Sequence, residues 1–131
     1  MTDKKINLVM KLLMALMLGY FAYFKGWVFS GSTNISPKKA HTLLEQSNTL
    51  LLLDVRSKKE FAKDHLKGAI SVPLEEISKF NTKVKELLVY SERGELSVEA
   101  SRVLSKKGYK VLNLEGGVVF WIRAGYEVVK G

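Results

Sequence analysis

Val89-Tyr90-Ser91-Glu92-Arg93-Gly94-Glu95-Leu96-Ser97 decides how this chain is read, because the short apolar run Leu87 to Tyr90 breaks there into a polar loop and restarts as a helix. A strand, a loop and a helix N-terminus in succession point several backbone N–H groups and the positive end of a helix dipole into one small volume. Such a volume suits an anion or a thiolate. Many α/β units carry this turn with no function, so its meaning rests on the residues around it.

Upstream, Leu50 to Leu53 is a continuous apolar run ending at Asp54, the pattern of a strand covered on both faces. Before it, Ser36-Pro37 starts a helix, with Ser36 able to cap, Pro37 at the first helical position, and Ala40, Leu43 and Leu44 on its apolar face. His41 rides on that helix in a surface or half-buried structural role. After it, Ser57-x-x-Glu60 reads as a capping box for a short helix containing Phe61. Leu74 to Phe80 and Thr82 to Glu86 read as short helical turns. Downstream, Ser97 is expected to cap a helix that turns Ala100, Val103 and Leu104 inward and ends at Gly108. Val111 to Leu114 reads as a last strand. Trp121 and Phe120 follow the pair Gly116-Gly117 and precede Gly125, a spacing that predicts a turn closing onto the sheet and a buried Trp121. Alternation of β and α segments gives an α/β domain, a mainly parallel sheet flanked by helices.

Four stretches, in order, resemble the rhodanese-like family of single-domain sulfurtransferases. Asp54-Val55-Arg56 with the following Glu60-Phe61 matches the family's D-V-R and E-F. Asp64-His65-Leu66-Lys67-Gly68-Ala69-Ile70-Ser71-Val72-Pro73 resembles G-H-I-x-G-A-x-x-[IV]-P, with Asp64 for the glycine and Leu66 for the isoleucine. Glu115-Gly116-Gly117 to Trp121 matches L-x-G-G-x-x-x-W. The central loop resembles V-Y-C-x-x-G-x-R-S at Val89, Tyr90, Gly94 and Ser97, but Ser91 stands at the cysteine and Leu96 at the arginine. The resemblance covers roughly residues 35 to 130.

The first 33 residues differ in kind. Lys4 and Lys5 precede an apolar stretch from Leu8 to Phe29, 22 residues long, broken by Lys11 near its start and Lys25 near its end. At ~1.5 Å per residue this reaches across a ~30 Å hydrocarbon core. Lys11 and Lys25 can snorkel, and Tyr20, Tyr23 and Trp27 lie where an interfacial aromatic belt would. A cleaved signal peptide is the competing reading; it lacks an A-x-A site, Val28-Phe29-Ser30 being a weak substitute, so a retained transmembrane anchor is favoured. The division is therefore an anchor over 1–29, a linker over 30–34 and a domain over 35–131. Lys4, Lys5 and Lys11 favour a cytoplasmic N-terminus, which for a bacterial source places a single-pass protein in the inner membrane with its domain in the periplasm or exterior. Membrane lipid is then a partner of the N-terminal helix.

The net charge of +8 divides into +3 for residues 1 to 33 and +5 for the remainder. Nucleic acid is not expected, because the lysines interleave with carboxylates and no aromatic platform accompanies them. Lys59, Lys63 and Lys67 would stripe one face of a helix if it ran past Gly68, which makes a solvated face the better account. Cysteine is absent, which excludes disulfides, thiolate metal sites and thiol chemistry. His41 and His65 alone make no zinc site, and no metal or cofactor is expected.

The resemblance implies transfer of a sulfane sulfur from a donor such as thiosulfate through a persulfide on the loop cysteine. A serine hydroxyl cannot carry that persulfide, and phosphatases of the same fold need the cysteine equally. Ser91 with His65 as base and Asp54 behind it is the order of a serine hydrolase, but no G-x-S-x-G elbow is present. Ser91 is either a replacement made to block a sulfurtransferase or the natural residue of a catalytically retired domain, and Leu96 favours the second. The expected site is the loop Ser91, Glu92, Arg93, Gly94, Glu95, Leu96 and Ser97, braced by Asp54 and Arg56 through an ion pair and backbone bonds. Arg93 can hold a small anion there, opposed by Glu92 and Glu95. The expectation is a module that binds an anion or a thiol-bearing protein rather than turning over.

Overall fold

Leu50–Asp54 (β2) and Glu86–Tyr90 (β4), the two runs that read as strands covered on both faces, lie side by side in a five-stranded sheet. The computed structural model of the chain describes residues 3–28 and 32–131, with side chains for 3–23 and 32–131. The remaining strands are Thr33–Ile35 (β1), Ile70–Ser71 (β3) and Lys110–Leu114 (β5), and the order across the sheet is β1-β5-β4-β2-β3 with every neighbouring pair parallel. The chain divides into two units, Met1–Ser30 and Gly31–Gly131.

Alternation along each strand separates two cores. Leu52, Leu88, Tyr90, Leu112 and Leu114 face one side with Ala40 of helix Pro37–Gln46 (α2) and Val118 and Trp121 of helix Gly117–Arg123 (α5). Leu53, Leu87, Val89 and Val111 face the other with Ile77 of a 3-10 helix over Leu74–Lys79 and Ala100 and Leu104 of helix Glu95–Lys106 (α4). Each large side chain so buried contributes about 1.5–3 kcal/mol, so both faces must be apolar and the strands read as unbroken hydrophobic runs. Trp121 is buried as expected, 5% exposed, and its indole N–H donates to Glu127 O at 3.0 Å.

The caps follow the sequence in two cases. Ser36 accepts from Lys39 N at 3.2 Å, and Ser57 accepts from Glu60 N at 3.2 Å to start the helix Lys58–Lys63 (α3). Because α3 stops at Lys63, Lys67 does not continue its lysine stripe.

Three expectations are corrected. Thr82 to Glu86 is not a helical turn: Thr82 exchanges hydrogen bonds with the Tyr109 hydroxyl and Val84 N–H donates to Thr82 Oγ1, around a bend at Lys83, before Glu86 opens β4. Thr33 and Asn34 are not linker but strand, paired with Leu112 and Asn113, because β-branched Thr33 and Ile35 suit a strand and Ile35 is buried. Ser97 does not cap α4; it lies inside the first turn, and the capping position is Gly94 with φ +103°. Ser30 and Gly31 of the expected linker, Phe29 at the end of the expected anchor, and the side chains of Lys25 and Trp27 lie outside the described residues.

The first unit holds helix Asp3–Val28 (α1). Its segment Asp3–Tyr23, with mean hydropathy 1.6, is by length and composition able to cross a membrane, as a signal sequence would also be.

Candidate functional site

β4 delivers Tyr90 and Ser91 to the C-terminal edge of the sheet, where the chain leaves the strand and α4 begins four residues later. Gly94 makes that turn: its left-handed backbone disfavours any side chain, and a Cβ there would meet Gly116 N at 3.5 Å. The tight return places the first turn of α4 over Ser91.

Ser91 is 1% exposed. Its Oγ accepts from Gly94 N–H at 3.1 Å and Ser97 N–H at 3.2 Å, and donates to Ser97 Oγ at 3.1 Å. Ser97 Oγ donates onward to Gly94 O at 3.1 Å, and Ser101 Oγ to Ser97 O at 2.6 Å. The Ser91 hydroxyl thus uses its one donor and both acceptor sites, and it supplies the capping oxygen expected of Ser97.

A second set of bonds pins the loop from outside. Gly117, with φ +59°, approaches so closely that a Cβ would lie 2.2 Å from Ser91 O, and Val118 and Val119 N–H donate to Ser91 O at 3.0 Å and Glu92 O at 3.1 Å. These are α5 N-terminal N–H groups that have no partner within their own helix. Glu92 Oε2 also accepts from Arg56 Nη1 at 3.0 Å.

Arg56 is the hub of the brace. Only 3% exposed, it donates Nε and Nη2 to Asp54, the latter at 2.9 Å to Oδ2, and Nη1 and Nη2 to Asp64 Oδ1 and O at 3.3 and 2.5 Å. Asp54 Oδ1 further accepts Arg56 N–H at 2.9 Å. Burial alone would lower the guanidinium pKa, but bonding and charge from Asp54, helped by Glu92, overcome it and raise the pKa, so Arg56 stays charged. Tyr90 lies fully buried beside this pair, with Leu66 N–H donating to its hydroxyl at 3.1 Å. Burial first, then the Asp54 carboxylate, pushes the phenol well above its usual range.

The structure therefore brings together Ser91, Gly94 and Ser97, and links Glu92 to Asp54 through Arg56. It does not bring in the Arg93, Glu95 or Leu96 side chains: all three are exposed, Leu96 by 44%, and Arg93 makes no ion pair among the described residues. Glu92, expected to repel an anion, is bonded to Arg56, a cation it shares with Asp54 and Asp64. Among the described residues, the backbone N–H groups of Glu92, Arg93, Glu95 and Leu96 donate to no protein acceptor. A serine hydrolase arrangement is absent among the described residues: His65 Nδ1 bonds Phe61 O at 2.9 Å, its ring stacks on Phe61, and Asp54 is taken by Arg56.

Sequence reasoning missed a cavity of about 660 Å³ lined by His41, Leu44, Leu66, Trp121 and Tyr126 among others. His41 stacks on Tyr126 at 4.2 Å and pairs with Glu45 at 3.4 Å. His41 lies on α2, far in sequence from Trp121 and Tyr126, and no local pattern joins it to them.

Comparison with known proteins agrees with this geometry. The family model described as Rhodanese-like domain matches residues 36–124. A sulfurtransferase of Allochromatium vinosum is 30% identical over 90 residues, covering 66% of this chain and 84% of that protein. The thiosulfate sulfurtransferase PspE of Escherichia coli is 32% identical over 71 residues, covering 50% and 68%. Among solved structures, a rhodanese-related protein from Thermoplasma volcanium superimposes with a TM-score of 0.66 at 25% identity, over 76% of this chain and 99% of that one.

Proposed function

Because the chain belongs to the rhodanese-like domain family, we propose that it is a membrane-anchored member that binds a small anion at the Ser91 loop and does not itself turn over. The observation that carries the reading is the Ser91 hydroxyl at the focus of the Gly94 and Ser97 N–H groups, where sulfur transfer needs a thiolate, in a chain with no cysteine. The alkoxide is inaccessible near neutrality, and an O–S adduct would not be a stable carrier. Any persulfide step would belong to a thiol-bearing partner protein docking at this loop.

The anion is held by what the loop leaves free. The N–H groups of Glu92, Arg93, Glu95 and Leu96 surround the start of α4, whose dipole favours negative charge, and the exposed Arg93 adds a cation. The α1 segment serves as a single-pass anchor with Lys4, Lys5 and Lys11 on the cytoplasmic side, which in a bacterium sets the domain in the periplasm.

The full chain in detergent should show no transfer of sulfur from thiosulfate to cyanide. Titration with thiosulfate should shift the amide resonances of Glu92, Arg93, Glu95 and Leu96 before any others. Turnover by the unmodified chain would overturn the non-catalytic reading, and shifts confined to other residues would overturn the anion site.

A further inference from the structure

The edge of the sheet opposite the Ser91 loop concentrates positive charge. Lys79 ends the 3-10 helix, Lys83 and Lys85 lead into β4, Lys106 and Lys107 close α4, and Lys110 opens β5; all six are exposed. They share one place in space as well as in sequence. Lys107 Nζ donates to Ser78 O at 3.1 Å and to Phe80 O, and Lys110 N–H donates to Lys85 O at 2.9 Å. Glu86 lies among them, 3.8 Å from Lys110 Nζ, and Glu45 in the last turn of α2 approaches the same edge, so the lysines outnumber the carboxylates there.

The same edge receives the chain from α1. All strands are parallel, so β1 starts there, and Thr33 pairs with Leu112, two residues along β5 from Lys110. α1 ends at Val28 and β1 begins at Thr33. Five steps of fully extended chain reach at most about 18 Å. The chain that leaves α1 therefore enters the sheet at this edge.

We propose that the lysine edge docks on anionic phospholipid headgroups, an inference that rests on the membrane anchor proposed above. Positive charge, tether length and point of chain entry coincide at one edge. Docking there turns the C-terminal edge, with Ser91, toward the aqueous phase, where a soluble anion or protein can reach it.

The absence of cysteine allows a clean test, since a fluorophore on Asn48→Cys, at the lysine edge, or on Glu115→Cys, at the Ser91 edge, is unique in the chain. The full chain is placed in nanodiscs of phosphatidylcholine alone or with phosphatidylglycerol, carrying a headgroup nitroxide quencher. With phosphatidylglycerol at low salt, the Asn48 label should be quenched and the Glu115 label not. The contrast should disappear at about 1 M salt, where the screening length is ~3 Å. Lys83→Gln, Lys85→Gln and Lys106→Gln together should lower the docked-to-free ratio by about a hundredfold, roughly fivefold per charge. Equal quenching of both labels, or a contrast unchanged in pure phosphatidylcholine, would overturn the proposal. Alkaline carbonate extraction separates the two readings: a chain that is extracted but still binds phosphatidylglycerol vesicles in a salt-dependent way overturns the anchor and supports the lipid edge, and one that is extracted and does not bind overturns both.

Discussion

Ser91→Cys should create a thiol whose pKa lies near 7 rather than the usual ~8.5, and the magnitude follows from the cradle. The Oγ position receives Gly94 N–H at 3.1 Å and Ser97 N–H at 3.2 Å, and the Ser97 hydroxyl at 3.1 Å can turn to donate as well. A hydrogen bond to a charged acceptor contributes about 1 kcal/mol more than one to a neutral acceptor, so three of them favour the thiolate by roughly 3–4 kcal/mol. The position is 1% exposed, and burial opposes part of that. A net of about 2 kcal/mol is about 1.5 pKa units. The rate of iodoacetamide alkylation against pH reads this directly, because the chain contains no other thiol. Adding Ser97→Ala removes one donor and should return the pKa upward by about 1 unit. An apparent pKa at or above ~8.5 in the single variant would refute the claim that the loop is a working anion cradle. In the same background, Leu96→Arg should raise thiosulfate-dependent turnover about ten- to a hundredfold, the effect of one charge-assisted bond to the donor.

Arg56→Ala should destabilise the domain by about 3–5 kcal/mol in urea unfolding, because it strands the buried Asp54 carboxylate. Glu92→Gln should cost less than about 1 kcal/mol, since Glu92 is half exposed; equal losses would show that the loop contact, not burial, dominates the brace. Trp121→Ala should cost about 3–5 kcal/mol, and an unchanged melting midpoint would contradict its burial. Tyr90 holds its proton more tightly folded than unfolded, so its stabilisation is complete below the unfolded pKa of ~10 and declines above it by up to ~1.4 kcal/mol per pH unit. Tyr90→Phe leaves Leu66 N–H without its acceptor and costs stability at pH ~8, but the gap to the unmodified chain should narrow by pH ~11. A gap constant over that range would refute the assignment.

What was legible in the sequence is what short-range pattern carries. The doubly apolar runs of β2 and β4, the Ser36 and Ser57 caps and the closing Gly116-Gly117 to Trp121 motif each occupy a few consecutive residues, and each lies where the pattern places it. β1 reads as linker because only Ile35 of its three residues turns inward, and β3 is two residues long, specified by register against Leu53 and Asp54 rather than by propensity. Ser97 misleads for a different reason: a serine before an apolar periodic run is normally a cap, but here the oxygen comes from Ser91, six residues back, across a left-handed glycine. Arg56 joins residues up to 36 positions away, which no local rule predicts.

The serine changes what the loop can bind as well as what it cannot do. A thiolate at this position would carry the negative charge itself and occupy the helix N-terminus electrostatically. The neutral Ser91 hydroxyl satisfies Gly94 and Ser97 N–H without adding charge, so the charge facing the α4 dipole is that of Glu95 in its first turn, while the N–H groups of Glu92, Arg93, Glu95 and Leu96 have no protein acceptor among the described residues. Glu92, the carboxylate attached to this rim, is held by Arg56, and Asp54 is paired with the same guanidinium. The Arg56 guanidinium offsets only one of these charges and is shared with Asp64 as well, Glu95 stands exposed in the first turn of α4, and Arg93 makes no ion pair among the described residues. An anion arriving as proposed would meet the free N–H groups and Arg93 against the opposing charge of Glu95, without having to displace the Ser91 bonds. On the proposed reading, the loop architecture that would activate a cysteine instead receives, with serine in place, an anion from solvent.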